Sequence, residues 1–137
     1  MKINNIFKKL PREKLREYKV GLIYHFGSTA SGYALKFSDI DLGIVFTDTK
    51  VLENSLKIYN EMYQLFTDLL RLPYDLDIVL LQQTSFSFQY QVVYEGEVIF
   101  EESPIFRMDY EEYVMKMYFD FKYIDKIFSE VIREVFR

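Results

Sequence analysis

The chain contains 137 residues, half of them hydrophobic, with three prolines, five glycines and no cysteine. This length and composition predict one compact domain with a hydrophobic core, and the lack of cysteine excludes disulfides, thiolate metal sites and cysteine nucleophiles. The net charge of −4 argues against broad nonspecific binding to nucleic acid. No apolar run is long enough to span a membrane, and the N-terminus lacks the apolar region of a signal peptide, so we expect a cytoplasmic protein.

The N-terminal part of the chain predicts a helix followed by a strand. Residues 3–18 have a helical pattern, in which Pro11 either starts a second short helix or kinks one continuous helix. The apolar run from Val20 to Phe26 predicts the first strand. It contains His25, the single histidine of the chain. We interpret His25 as a wall or core residue, because the sequence shows no partner that would orient it for catalysis.

The segment after the first strand has the residues of a nucleotide site. Gly27 and Ser28 follow that strand, and Asp39 and Asp41 stand at the start of a second apolar strand, Ile40–Phe46. Strand side chains alternate between faces, so the two carboxylates lie on one face and need a hard cation such as Mg²⁺. Gly27 lets the backbone approach a bound group, and Ser28 offers a hydroxyl and an N–H to an anion. Together they predict a site for a nucleoside triphosphate.

A long helix and a third strand come next. Apolar residues recur every three or four positions from Lys50 to Arg71, which predicts an amphipathic helix that covers the sheet and is ended by Pro73. The third strand is predicted at about Tyr74–Leu81, and it contains Asp77. A buried carboxylate costs several kcal/mol unless a metal or another partner receives it, so Asp77 needs a partner. Asp75 points to the same face and is the alternative.

The rest of the chain predicts two helices and an edge strand. Residues 84–94 favour a short helix and residues 98–100 an edge strand, and Ser103 and Pro104 start a final helix that reaches residue 136. Apolar side chains on this helix alternate four and three residues apart: Tyr110, Val114, Met117, Phe121, Ile124, Phe128, Val131 and Val135. At about 45 Å the helix is longer than a globule of about 35–40 Å. Its last turns are therefore expected to project and to contact a partner, in a homodimer or hetero-oligomer.

The Gly-Ser pair, ten residues and then Asp-x-Asp resemble the signature of the nucleotidyltransferase superfamily that includes DNA polymerase beta. The short chain is similar to the minimal nucleotidyltransferase branch of that superfamily. The resemblance implies an α+β fold, with a small mixed sheet covered by helices and a long C-terminal helix. It also implies a nucleotidyltransferase core at residues 1–103, with residues 104–137 as a helix of the same domain.

The resemblance also implies roles for individual residues. Asp39 and Asp41 would hold two Mg²⁺ ions, while Asp77, on the strand after the long helix, would complete the metal site and help take a hydroxyl proton. Gly27 and Ser28 would hold the β- and γ-phosphates of ATP.

The sequence departs from the family pattern just after the Gly-Ser pair. Many minimal nucleotidyltransferases carry arginines there, whereas this chain has Thr29 and Ser31. Lys36 is the nearest residue that could supply a cationic contact to the phosphates, although a loop lysine is commonly only solvated. Nucleotide affinity is therefore expected to depend on fewer cations than is usual in the family.

The acceptor of the nucleotide is implied by the C-terminal part of the chain. The segment Tyr-Phe-Asp-Phe-Lys-Tyr, residues 118–123, resembles the end of the minimal nucleotidyltransferase antitoxins that are paired with HEPN-domain toxins. This resemblance implies transfer of AMP from ATP to a tyrosine of the toxin, with neither a membrane nor nucleic acid as a direct partner. A small-molecule nucleotidyltransferase, similar to those that modify aminoglycosides, and a non-catalytic binding antitoxin are the alternatives.

Overall fold

A computed structural model describes residues 7–27, 39–71 and 75–136 of the chain. Within those ranges, helices pack on both faces of a four-stranded sheet. The elements, in chain order, are α1 (Arg12–Glu17), β1 (Val20–Phe26), β2 (Ile40–Phe46), α2 (Ser55–Leu70), β3 (Leu76–Leu80), α3 (Phe86–Glu95), β4 (Glu97–Glu101) and α4 (Pro104–Val135).

The sheet has the strand order β3-β2-β1-β4. β1 is antiparallel to both β2 and β4, whereas β2 and β3 are parallel. The predicted α+β fold with a small mixed sheet is therefore confirmed. The last residue of β1 lies at the same end of the sheet as the first residues of β2 and β3. We call this end of the strands the carboxylate end, because three aspartates lie there. Predicted edge strand 98–100 is β4, extended by one residue on each side.

Alternating side chains divide the core between the two faces of the sheet. One face packs against α2, through the buried residues Ile23, Ile40, Leu42, Ile44, Ile58, Met62, Phe66 and Leu70. The other face packs against α3 and α4, through Leu22, Tyr24, Val45, Leu81, Val92, Tyr110 and Val114. Because Ile40 and Leu42 are buried on the α2 face, the aspartates that alternate with them belong to the α3/α4 face.

The α-helix predicted from residue 50 to 71 starts later than expected, so that prediction is wrong in part. A 3₁₀ helix covers Thr49–Asn54, and the α-helix begins only at Ser55. Two side-chain caps explain the division. Asp48 Oδ1 accepts a hydrogen bond from the backbone N–H of Lys50 at 3.0 Å, and Asn54 Oδ1 accepts one from the N–H of Lys57 at 3.3 Å. The helix ends at Leu70, before residues 72–74, so the predicted role of Pro73 lies outside the described residues.

Two further helices begin at local sequence signals, a proline for α1 and a serine cap for α3. α1 starts directly after Pro11, and residues 8–11 are not helical. Pro11 therefore precedes a separate short helix and does not kink a continuous one. Residues 3–6 of the predicted N-terminal helix lie outside the described residues. α3 begins at Phe86, two residues later than predicted, because the Ser85 hydroxyl accepts a hydrogen bond from the N–H of Phe88 at 3.1 Å.

α4 is continuous over 32 residues, and only its first half packs on the domain. Ser103 caps it as predicted, accepting a hydrogen bond from the N–H of Phe106 at 3.1 Å. Every side chain from residue 119 to 128 is exposed, so the expected projection of the last turns is confirmed. Among the described residues, no helix combines the length and the apolar character needed to cross a membrane.

A polar network joins α4 to the sheet. The buried Tyr24 hydroxyl of β1 donates a hydrogen bond to Glu111 Oε1 at 2.7 Å, and Arg107 Nε donates to the same oxygen at 3.0 Å. Arg107 also lies 3.5 Å from Glu101 on β4. Burial, followed by the hydrogen bond to Glu111, raises the pKa of Tyr24 well above its usual value. The phenol therefore stays protonated and continues to donate.

Tyr24→Phe is expected to lower the free energy of unfolding by about 1.5 kcal/mol, because it removes one hydrogen bond to a charged acceptor. Glu111 keeps its bond to Arg107, which limits the loss. Urea unfolding measures the change. Tyr63→Phe, at a residue that is 41% exposed, is the matched control and should have little effect. Equal stability of Tyr24→Phe and the wild-type chain would show that the network contributes nothing.

Candidate active site

Three aspartates lie at the carboxylate end of the sheet. Asp39 precedes β2, Asp41 is its second residue, and Asp77 is the second residue of β3. Asp41 and Asp77 are directly paired in the parallel register. Asp41 is partly buried, whereas Asp39 and Asp77 are exposed. The fold thus brings together all three predicted carboxylates, from two segments that are separated in the sequence by α2.

These carboxylates belong to the face of the sheet that α3 and α4 cover. Asp41 is paired with Phe26 of β1, and Phe26 has the same orientation as Tyr24, which packs against α4. Phe26 and Phe88 meet edge to face with ring centroids 5.8 Å apart, so two phenylalanines form an apolar wall beside Asp41. The sequence analysis missed this wall. The position of Phe26 directly before Gly27 was the available signal.

Gly27 has a backbone conformation and surroundings that exclude a side chain. Its φ is +81°, in the left-handed region that favours glycine. A Cβ added at this position would overlap Oδ2 of Asp41. The sequence predicted that Gly27 admits a bound group; among the described residues, the atoms nearest to such a Cβ belong to the Asp41 side chain. Gly27 therefore determines where that carboxylate lies.

Replacement of Gly27 is expected to reduce the nucleotidyl transfer that the family resemblance implies, and to have a smaller effect on the stability of the fold. In Gly27→Ala, the left-handed backbone costs about 1–2 kcal/mol, and the new Cβ displaces the Asp41 carboxylate. Gly27→Asn separates the two effects, because asparagine tolerates a positive φ but carries the same Cβ. We expect Asn to recover part of the melting temperature and none of the activity. Recovery of both would mean that backbone strain, rather than contact with Asp41, explains the loss.

The three negative charges act on one another. Burial, then the charge of Asp77 and then that of Asp39, raise the pKa of Asp41 above its usual value. The charges that raise this pKa are those of the two other predicted site residues. A cation bound between the carboxylates would relieve this repulsion, which is the electrostatic property expected of a metal-binding group.

The donor chemistry of the site suits a hard cation, although the side chains do not surround one. Asp39, Asp41 and Asp77 offer only carboxylate oxygens, the ligands that Mg²⁺ prefers. Among residues 7–27, 39–71 and 75–136, no group of three or more histidine, cysteine, aspartate or glutamate side chains is arranged so that it could hold a metal ion. Binding of an ion would thus require these carboxylates to turn toward each other.

Asp77 differs in one respect from the prediction. We expected a buried carboxylate inside an apolar strand, whereas Asp77 is exposed, because β3 begins only one residue earlier at Leu76. Asp77 is therefore distinguished by its pairing with Asp41 in the parallel register, and not by burial. The alternative, Asp75, is also exposed, and its backbone carbonyl accepts a hydrogen bond from the Ile40 N–H at 2.7 Å.

The structure describes His25 but not the remaining predicted phosphate contacts. Ser28 and Lys36, the predicted phosphate contacts, lie outside the described residues, as do Thr29 and Ser31. His25 is buried, at 2% exposure, and its ring packs edge to face against Phe7 at 5.2 Å. Burial lowers the pKa of His25. Its neighbours on the α2 face agree with its interpretation as a core residue.

The chain matches a known protein family and is similar to several solved structures. Residues 2–105 match the family described as polymerase beta, nucleotidyltransferase. A search of curated proteins finds no match. The fold is similar to a chain of a toxin–antitoxin complex with AMP-PNP, at a TM-score of 0.67 and 26% identity, covering 98% of this chain and 99% of that one.

Two further solved structures are similar. A chain of the MntA–HepT toxin–antitoxin complex has a TM-score of 0.58 and 26% identity, with 98% of this chain and 97% of that chain covered. A chain of the complex of the tri-AMPylated Shewanella oneidensis HEPN toxin with MNT antitoxin has the same fold, at a TM-score of 0.61 and 24% identity, covering 98% and 100%. Since the family match covers most of its length and includes the Gly27 turn and the three carboxylates, the chain belongs to the polymerase beta nucleotidyltransferase family and is an enzyme of that family.

Proposed function

We propose that this chain transfers AMP from ATP to a tyrosine hydroxyl of a HEPN-domain toxin and so acts as its antitoxin. The observation that carries the proposal is the pairing of Asp41 with Asp77 beside Gly27, at the carboxylate end of the sheet. This arrangement joins carboxylates that suit a divalent cation to a turn that suits phosphate. A cation and a triphosphate are the two components that nucleotidyl transfer requires.

The similar structures support both the nucleotide and the partner. One of the similar chains, at 26% identity, comes from a toxin–antitoxin complex with AMP-PNP, an analogue of ATP. The MntA–HepT complex is also a toxin–antitoxin pair. The aligned regions cover nearly the whole of each chain, so they include the region of α4. A further complex contains a chain of the same fold together with a HEPN toxin that carries AMP.

In the proposed reaction the residues of the site mainly position groups and balance charge. Two Mg²⁺ ions held by Asp39, Asp41 and Asp77 would neutralise the phosphates and make the attacking hydroxyl more acidic. Ser28 would donate its N–H and hydroxyl to the β- and γ-phosphates, with Lys36 as a further cation. The tyrosine oxygen forms a bond to the α-phosphorus, the bond from this phosphorus to the β-phosphate oxygen breaks, and pyrophosphate leaves. Asp77, which is exposed, accepts the phenol proton.

The test uses the full chain, ATP labelled at the α-phosphate, Mg²⁺ and the HEPN-domain protein encoded by a neighbouring gene. We expect label on a tyrosine of that protein, an equal amount of pyrophosphate and loss of the toxin's activity. In a parallel reaction, an aminoglycoside replaces the HEPN-domain protein; label on the aminoglycoside, with none on the protein, would support the small-molecule alternative. Tight binding of the toxin without any ATP turnover would support a non-catalytic antitoxin and contradict the proposal.

A further inference from the structure

The second half of α4 has an apolar face that nothing in the described chain covers. We call the residues Phe121, Ile124, Phe128, Val131 and Val135 the distal stripe. Each of them is more than half exposed. Tyr118 stacks on Tyr90 of α3 with ring centroids 4.1 Å apart, and Phe119 also meets Tyr90, so contact with the domain extends to about this point. From there to Val135 the helix extends for about 25 Å.

α4 runs toward the carboxylate end of the sheet. Near its start, Phe106 lies against Gly21 of β1, and five residues later Glu111 is bonded to Tyr24. Over that interval the helix advances about 7.5 Å and the strand about 10 Å, so the two elements run in roughly the same direction. β1 then ends at Phe26, beside Asp41. The exposed half of α4 therefore leaves the domain past the same edge at which the carboxylates lie.

The distal stripe faces the same way as the part of α4 that packs on the sheet. Tyr110 and Val114 are buried against the domain, and the stripe continues from them at alternating three- and four-residue spacing. Positions at this spacing share one side of a helix. Since the carboxylates are on the sheet face that α4 covers, the stripe and the carboxylates border the same angle beyond the end of the sheet when residues 7–27, 39–71 and 75–136 alone are considered.

We propose that the acceptor protein binds in this angle, against the distal stripe, so that α4 recognises the acceptor and presents its tyrosine to the carboxylate end. This inference rests on the proposed function and adds where the partner is held. The similar toxin–antitoxin chains are covered over 97–99% of their length, which means that chains found in complexes share the region that forms α4. An apolar surface of this extent is typical of a protein interface.

A second copy of the chain is a less suitable occupant. Two copies that paired through their stripes would use the surface that, in the proposed arrangement, has to hold the protein acceptor beside the carboxylate end. Such a dimer conflicts with transfer to a protein, whereas an acceptor in the angle satisfies both the apolar stripe and the chemistry beside it. The oligomeric state is therefore an outcome of the test.

The test compares Phe128→Asp with Tyr123→Asp. The two side chains are equally exposed, at 63% and 66%, but Tyr123 lies about 140° around the helix from Phe128 and outside the stripe. Both changes place the same charge on the same exposed helix. For each variant we measure affinity for the HEPN-domain protein, the rate of AMP transfer to it, ATP affinity and the oligomeric state by sedimentation.

Phe128→Asp should weaken binding of the HEPN-domain protein by about 30-fold or more, as expected for an apolar anchor at an interface. The loss of kcat/KM should fall on the KM for that protein, with ATP affinity unchanged. Tyr123→Asp should stay within about twofold of the wild-type chain in each measurement. Equal effects of the two changes, or none from Phe128→Asp, would overturn the inference.

Two further outcomes separate this inference from the proposed function. A wild-type dimer that Phe128→Asp dissociates, with transfer fully retained, would assign the stripe to a second copy and overturn the inference. A wild-type chain that binds the HEPN-domain protein but never transfers AMP would contradict the proposed function alone. In that case, selective weakening of binding by Phe128→Asp would still support the docking position.

Discussion

Asp41→Asn is expected to abolish nucleotidyl transfer and to leave the folded protein at least as stable as the wild-type chain. The residue is paired with Asp77 and repelled by both Asp77 and Asp39. Asparagine has almost the same shape but no charge, so it removes the proposed metal ligand and the repulsion together. We expect the rate to fall by about 1000-fold or more, which corresponds to about 4 kcal/mol of transition-state stabilisation. Asp39→Asn should have the same effect on the rate.

The effect of Asp41→Asn on stability should depend on pH. The pKa of Asp41 is raised in the folded protein, so the folded chain holds this proton more tightly than the unfolded chain does. Wild-type stability therefore falls as pH rises from the ordinary aspartate pKa through the raised one. The asparagine variant lacks that loss. Its melting temperature should exceed that of the wild-type protein near neutral pH, and the difference should vanish in acid.

The control for Asp41→Asn is Asp68→Asn, an exposed aspartate on α2 that accepts a hydrogen bond from Gln64. This variant should keep full activity and show no comparable gain in stability near neutral pH. Transfer by Asp41→Asn at the wild-type rate, in saturating Mg²⁺, would exclude this carboxylate from the reaction. A lower melting temperature near neutral pH would mean that Asp41 stabilises the fold.

Asp77→Asn is expected to reduce the chemical step much more than the binding of ATP. In the proposed reaction, Asp39 and Asp41 would remain to hold the cation that accompanies the triphosphate, whereas the group that would accept the hydroxyl proton is gone. We therefore expect kcat to fall by about 100-fold or more, with a change in ATP affinity of less than about threefold. Single-turnover transfer and equilibrium binding of ATP measure the two effects separately.

Asp75→Asn provides the matched comparison for Asp77→Asn. The two residues are exposed and lie two positions apart, but only Asp77 is paired with Asp41. Asp75→Asn should retain transfer within a few-fold of the wild-type rate, and its backbone hydrogen bond to Ile40 is unaffected by the change of side chain. If Asp75→Asn loses kcat and Asp77→Asn does not, the third carboxylate of the site is Asp75.

The sequence predicted some parts of this fold to the residue. β1 and β2 have the expected bounds, because continuous apolar runs between polar segments mark buried strands well. The start of α2 was missed, since Asp48 and Asn54 act as caps only in backbone conformations that periodicity does not reveal. The family resemblance implied all three carboxylates, yet the pairing of Asp41 with Asp77 depends on the register of two parallel strands that are far apart in the chain. That register is a property of the tertiary structure.

α4 is attached to the domain only along its first half, which we call its base. A small rotation at this base moves the free end of the helix by a larger distance. Its base is held by Tyr24, Arg107 and Glu111, and its free part extends for about 25 Å beyond the last aromatic contacts. A rotation of about 10° at Glu111 in the base, which lies about 36 Å from Val135, would therefore move the tip by about 6 Å, roughly twice the length of a hydrogen bond. The position of an acceptor bound as proposed would thus depend on these polar contacts and on the packing of Tyr110 and Val114 against the sheet. Replacement of the distal half of α4 by another sequence would then change which protein is accepted and leave the reaction unchanged, as long as the contacts of Tyr24, Arg107 and Glu111 are kept.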